Sequence, residues 1–160
     1  MYEKTNTCCF TGHRSVPADA LSRVVDRLVA RIRQLYAEGY RRFITGGAIG
    51  FDTLAARALI VLKREYPDLH FTMMIPCADQ DARWTAAQRA EYARHKAAAD
   101  EVIILAERYF DGCMQKRNAA MVGASSAVIA FVTRPRSGTG QTVRLAKSAG
   151  ARVFNVAEEG

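Results

Sequence analysis

No apolar run in this chain of 160 residues approaches the ~20 needed to cross a bilayer. Met1-Tyr2-Glu3-Lys4 carries no secretory pattern, so the expected compartment is the cytosol and no membrane partner is expected. Cysteine is sparse. Cys8, Cys9, Cys77 and Cys113 include no Cys-x-x-Cys pair, so the spacing offers no zinc site. Cys8 and Cys9 sit in an apolar run and read as small core residues, whereas Cys77 and Cys113 fall near loop ends, where a thiol can react. Fixed-period repeats, low-complexity tracts, linkers and blocks of like charge are all missing, which excludes repeat arrays and charged tails. There is no Ser-His-Asp order, no pair of catalytic carboxylates and no metal-spaced cluster, so no metal is expected. Thr45, Thr139 and Thr142 bring hydroxyls without an activating base.

What remains is an ordinary globular composition, 49% hydrophobic and 24% charged, in a length that suits one domain over residues 1–160. The net charge of +7 admits nucleic acid or phosphorylated small molecules as partners, and equally a solvated basic surface, because acids are interspersed among the bases.

Apolar β-like runs at Thr7–Thr11, Arg42–Thr45, Phe71–Ile75, Glu101–Leu105, Ala127–Val132 and Arg152–Val156 alternate with helical patterns. Leu21, Val24, Val25, Leu28, Val29, Ile32, Leu35 and Tyr36 share one helical face, with Ser15 and Pro17 as a start signal and Gly39 as a stop. Further helices are expected over about 51–65, 81–99 (either continuous or broken), 112–124 and 140–149. Trp84 and Tyr92 are placed on one face of the third, in core or lid packing or stacked on a base. Strand–helix alternation implies right-handed βαβ units, hence an α/β fold: a Rossmann-like, doubly wound, mostly parallel sheet of about six strands. Ligands of such sheets bind at the carboxyl ends of the strands, near the switch in strand order.

Three small-residue turns fall at strand carboxyl ends. They are Thr11-Gly12-His13-Arg14, Thr45-Gly46-Gly47-Ala48-Ile49-Gly50-Phe51-Asp52, and Ser137-Gly138-Thr139-Gly140-Gln141-Thr142. The second is neither a Gly-x-Gly-x-x-Gly fingerprint nor a Walker loop. Its glycines read as a backbone cradle for phosphate or ribose at a helix N-terminus, or as close packing of helix on strand. Asp52 can complement the helix dipole or accept bonds from ribose. Arg14 and Arg117 can fork onto a phosphate, with Asn118 beside the latter, or can be surface residues. His13 reads as structural.

These motifs resemble the YpsA-like family. The resemblance rests on Thr11–Arg14, Thr45–Ala55, Pro76-Cys77-x-x-Gln80-x-x-x-Trp84, Arg117-Asn118-x-x-Met121-Val122 and Gly138-Thr139-x-x-Thr142, and covers nearly the whole chain. The family belongs to the SLOG superfamily, with the DprA DNA-processing proteins and the LOG phosphoribohydrolases. The resemblance implies a nucleotide or ADP-ribose-like ligand and a sensing or regulatory role. Gly46, Gly47, Gly50, Gly138, Thr139, Gly140 and the Thr142 hydroxyl would take phosphate, with Gly12, Arg14, Thr45, Arg117 and Asn118 around it, and Asp52 would hold ribose. Met114, Arg117, Asn118 and Met121 are similar to a LOG helix whose arginine is catalytic. The LOG catalytic glutamate has no counterpart in Ser137–Arg144, which leaves Asp52 and Arg117 as the candidates for N-glycosidic cleavage. A DprA-like module for single-stranded DNA is the third reading, and a homo-oligomer is compatible with all three.

Overall fold

The computed structural model describes residues 2–158. After a 3-10 turn at Lys4–Asn6, six strands alternate with five helices: β1 (Thr7–Gly12), α1 (Leu21–Ala37), β2 (Arg42–Thr45), α2 (Phe51–Glu65), β3 (His70–Ile75), α3 (Ala86–Ala98), β4 (Glu101–Ile104), α4 (Cys113–Gly123), β5 (Ala127–Phe131), α5 (Gly138–Ser148) and β6 (Arg152–Asn155). The sheet order is β4-β3-β2-β1-β5-β6 and every pairing is parallel. The chain winds outward from β1 to β4, then returns to lay β5 against the other side of β1. Right-handed crossovers therefore put α1, α2 and α3 on one face and α4 and α5 on the other.

The two faces have separate cores. Phe10, Leu28, Ile32, Phe43, Phe51, Leu59 and Phe71 fill the α1–α3 side. A smaller cluster of Cys9, Ile44, Met74, Met121, Val122, Val128 and Ala146 fills the α4–α5 side. The adjacent cysteines thus alternate across β1, one into each core, as period-two strand geometry requires. Burial raises both thiol pKa values, that of Cys9 to about 12.

Several local expectations need correction. Ser15 and Pro17 do not open α1. Pro17 opens a turn closed by its carbonyl and the Ala20 amide at 3.0 Å, and the helix begins at Leu21 without a side-chain cap. The third helix begins only at Ala86, where Thr85 and Gln88 form a reciprocal capping box. Trp84 therefore lies in the preceding turn and meets the Tyr92 ring edge-on at 4.9 Å. The last helix starts two residues early, at Gly138, because the Ser137 side chain caps it by accepting from the Gly140 amide at 3.0 Å. No helix among the described residues is long and apolar enough to cross a membrane.

The turns at the carboxyl edge are packed backbone to backbone. Gly50 precedes α2 at φ +85°, and a Cβ there would overlap the Arg14 carbonyl. Gly50→Ala is expected to lose about 2 kcal/mol or more in urea unfolding, from left-handed strain plus overlap. Gly123→Ala, in α4 with open space around it, should gain up to about 1 kcal/mol.

Candidate functional site

The order of the sheet reverses between β1 and β5, and there the turns converge. His13 joins them. Its backbone N–H donates to the Phe131 carbonyl at 3.2 Å, and its carbonyl accepts from the Phe51 amide at 3.1 Å. Its ring Nε2 accepts from the amides of Thr133 and Arg134 at 2.9 and 3.3 Å. An acceptor at Nε2 puts the ring proton on Nδ1, and burial, with the Arg134 charge, holds the pKa below the usual histidine range. His13 is thus structural, as its residue type and setting suggested. It is the tie between the turn after β1, the start of α2 and the loop after β5.

A cleft of about 680 Å³ opens beside this knot. Of the residues singled out in the sequence, it is lined by Gly12, Arg14, Asp52, Arg117, Asn118, Gly138 and Thr139. Gly47 and Gly50 face a smaller neighbouring pocket of about 270 Å³ between α2 and α3. Gly140 faces a groove on the far side of the loop after β5. Thr45 is fully buried at the end of β2. The Thr142 hydroxyl donates to the Gly138 carbonyl at 3.0 Å within α5. Sequence reasoning did not single out Asp79, Arg83 and Tyr109, which also line the cleft. They come from the loops after β3 and β4, which are joined where the Asp79 carboxylate accepts from the Tyr109 amide at 2.9 Å. Neither loop is rich in glycine, so the signal used to find the other turns passes them by.

Most of the small residues have protein neighbours. A Cβ on Gly12 would overlap the Phe51 ring, one on Gly46 would lie 2.5 Å from the Arg117 guanidinium, and one on Gly140 would overlap the Pro135 carbonyl. Gly138 alone of the cleft glycines has nothing within 4 Å of that position. Backbone approach to a ligand is therefore open at the first turn of α5. Ser137 there satisfies the Gly140 amide, and the earlier amides of the turn have no intrahelical acceptor.

Opposite this terminus lie two buried charges. Arg117 on α4 and Asp52 in the first turn of α2 are each 5% exposed. The Arg117 Nη1 donates to the Gly46 carbonyl at 2.5 Å and its Nε to the Asn118 side chain at 2.8 Å. Among the described residues its Nη2 has only the weak Met114 sulfur as acceptor, at 3.8 Å. The Asp52 Oδ2 accepts from the Ala48 amide at 3.2 Å, whereas its Oδ1 has no donor in hydrogen-bond geometry, the Gly46 amide bearing on the carboxylate without meeting that geometry. Burial raises the Asp52 pKa to about 6, against the pull of the Arg117 charge and the Ala48 and Gly46 amides. The Gln80 Nε2 donates to the Gly47 carbonyl and the Tyr92 hydroxyl at 3.4 and 3.1 Å, which leaves its buried Oε1 unpartnered. Thr45 Oγ1 is the third buried atom without a partner among the described residues. All three lie around the Gly46–Gly47 turn. Buried polar atoms are rarely left unpaired, and two of these are acceptors on residues that line the cleft, Asp52 and Gln80. At its mouth, exposed Arg14 and Arg83 hold no ion pair among the described residues.

Cys77 and Cys113, at the end of β3 and the start of α4, are both buried. Burial, with the Asp79 carboxylate and the neighbouring Cys113, pushes the Cys77 thiol to about 12. A thiol in that setting is held protonated and is a poor nucleophile.

A family model described as the YspA SLOG family, named YpsA, matches residues 8–149. The SPbeta prophage-derived protein YoqJ of Bacillus subtilis is 33% identical over 138 residues, 78% of this chain and 81% of its own. Among solved structures, DNA processing protein A of Helicobacter pylori superposes with a TM-score of 0.65 at 18% identity, covering 96% of this chain and 65% of that one. The Streptococcus pneumoniae protein DprA does so with a TM-score of 0.65 at 19% identity, covering 95% and 50%. The chain thus spans between half and two thirds of the DprA chains, and at these identities the likeness is one of fold.

Asp52 gives a pH signature. Its carboxyl titrates at 3.8 when free and about 6 when folded, so between those values the folded state keeps a proton that the unfolded state has lost. Stability present below the lower value falls as pH rises through the upper one, by about 3 kcal/mol. Urea unfolding at several pH values should show this decline, and Asp52→Asn should flatten it. A decline of equal size in the variant would assign it to another group.

Proposed function

The chain belongs to the YspA SLOG family, and we propose that its switch-point cleft binds a nucleotide or nucleotide derivative and serves sensing or regulation. The observation that carries this reading is the pair of buried, unpartnered acceptors, Asp52 Oδ1 and Gln80 Oε1, just behind the surface of two residues that line the cleft. They call for hydrogen-bond donors. Ribose hydroxyls supply them, whereas a phosphate placed there would meet acceptors with acceptors. The phosphate belongs at the other end, against the first turn of α5 at Gly138 and Thr139, where backbone amides and helix dipole favour negative charge. Arg14 and Arg83 at the mouth add positive charge, and Arg117 retains donor capacity at Nη2. A cleft of about 680 Å³ is in the range of small-molecule sites.

One observation favours a second reading, hydrolysis of an N-glycosidic bond. A carboxyl with a pKa near 6 is poised to hold or give up a proton near neutral pH. Against this, Ser137–Arg144 carries no carboxylate to join it. The Helicobacter pylori structural relative binds single-stranded DNA. For this chain that is the least supported reading, because the likeness, at 18% identity, is one of fold and no separate observation favours it.

The test is thermal stabilisation by AMP, ADP and ADP-ribose, with inorganic phosphate and oligothymidylate alongside. At a ligand concentration about 100 times Kd, binding adds about 2.7 kcal/mol, a shift of several degrees. Arg117→Ala should lose most of the shift. Asp52→Asn should weaken ribose-bearing ligands without changing the response to phosphate. No shift with any nucleotide refutes the proposal. Release of free base that depends on Asp52 would establish the second reading in its place.

A further inference from the structure

On the opposite side of the loop after β5, a groove of about 870 Å³ runs along β6. β6 is an outer strand of the sheet. α1 lies on one face and α5 on the other, so the floor between them is the open strand edge itself. Arg27 and Arg31 line the α1 side, Arg144 and Lys147 the α5 side. The one described carboxylate in the lining is Glu158. Arg31, Arg144 and Lys147 form no ion pair with a described carboxylate: Arg31 bonds the Gln34 side chain, and Arg144 the Pro135 carbonyl.

The edge offers hydrogen bonds in a fixed pattern. The Arg152 and Val156 amides donate to the carbonyls of Ser126 and Ala130 at 3.0 and 2.8 Å, towards β5. Strand alternation then turns Val153 and Asn155 outward. The Asn155 carbonyl is taken by the Glu158 amide at 3.2 Å, which leaves the N–H and C=O of Val153 and the N–H of Asn155 for a partner. Unpaired edges of this kind are templates for an added strand.

We infer that the β6 groove is a docking site for an extended acidic segment of a partner protein. The segment pairs with the Val153–Asn155 edge as a seventh strand, while its carboxylates meet Arg31, Arg144 and Lys147. Charge complementarity selects the occupant: cations stand on both walls, and an extended chain with carboxylates at adjacent positions, which point to opposite faces, answers both while its backbone answers the edge. A single nucleic acid strand fits less well, since it uses aromatic platforms. Phe154, the aromatic residue of the floor, is covered by the guanidiniums of Arg31 and Arg152, 4.2 and 5.1 Å from its ring centre.

Fluorescence polarisation tests this with a labelled ten-residue peptide in which pairs of adjacent Glu alternate with pairs of Val, so that carboxylates fall on both faces of the strand. Copies of it N-methylated at alternate amides, in each of the two registers, and a ten-nucleotide thymidylate complete the set. The plain peptide should bind. The Arg144→Glu/Lys147→Glu double variant should weaken it about tenfold or more, and so should Val153→Pro, which removes an outward N–H without touching the β5 ladder. At least one N-methylated register should lose about as much. Thermal melts followed by circular dichroism report whether each variant folds; if Val153→Pro does not, the N-methylated peptides decide. No binding of the plain peptide overturns the inference, as does equal binding of plain and N-methylated peptides, which would mean charge alone. Tighter binding of the thymidylate that the double variant abolishes overturns it in favour of nucleic acid.

Discussion

The carboxyl edge of the sheet is organised by the contact of His13 and Arg14 with Gly50. Phe51 at the start of α2 can reach the His13 carbonyl only because Gly50 has no side chain to meet the Arg14 carbonyl behind it. The same histidine ring holds the loop after β5 through two amides. Three turns far apart in sequence are thereby fixed to one residue. The direction of α2, the position of Asp52 in its first turn and the entry into α5 all follow. The packing leaves no room for side chains at several of these points, so the cleft is framed by main chain and a few anchored side chains.

Within that frame the structure tolerates an expensive arrangement. Arg117 and Asp52 are buried, and the arginine neutralises part of the cost of the carboxylate without forming a direct ion pair. Arg117 is held from both sides, by the Gly46 carbonyl and the Asn118 side chain, and Gly46 must be small because the guanidinium occupies the space of a Cβ. Placing Asp52 in the first turn of a helix lowers the cost further, as the dipole favours negative charge there. The unpartnered oxygens of Asp52 and Gln80 remain. A fold selected only for stability has little reason to keep two buried acceptors unpaired, and a ligand-binding surface has good reason.

The basic character of the chain is distributed in a way the cleft does not absorb. Arg14, Arg83 and Arg117 line the cleft, while Arg27, Arg31, Arg144 and Lys147 gather along the edge of β6. The loop from Thr133 to Ser137 stands between the two regions, with Gly138 and Thr139 on one side and Pro135 and Gly140 on the other. Its position is set by His13 and by Asn155, whose side chain bonds both the amide and the carbonyl of Val132.

The alternation of apolar runs and helical periods, local in sequence, was enough to determine a parallel Rossmann-like sheet, its six strands to within a residue or so, and the placement of three small-residue turns at strand ends. α2 follows its pattern from Phe51 to Glu65 without deviation, because the periodicity runs uninterrupted from Gly50 to Pro67. Tertiary structure decided what each glycine is for. Spacing alone cannot distinguish a turn that approaches a ligand from one that approaches Phe51, Arg117 or Pro135, since the neighbour comes from elsewhere in the chain. It also decided that Thr142 spends its hydroxyl within α5, that Asp79, Arg83 and Tyr109 join the cleft, and that Asp52 and Gln80 end as buried acceptors without donors. Those outcomes depend on which loops the return of β5 to β1 brings together, and long-range packing, not local periodicity, sets that distance.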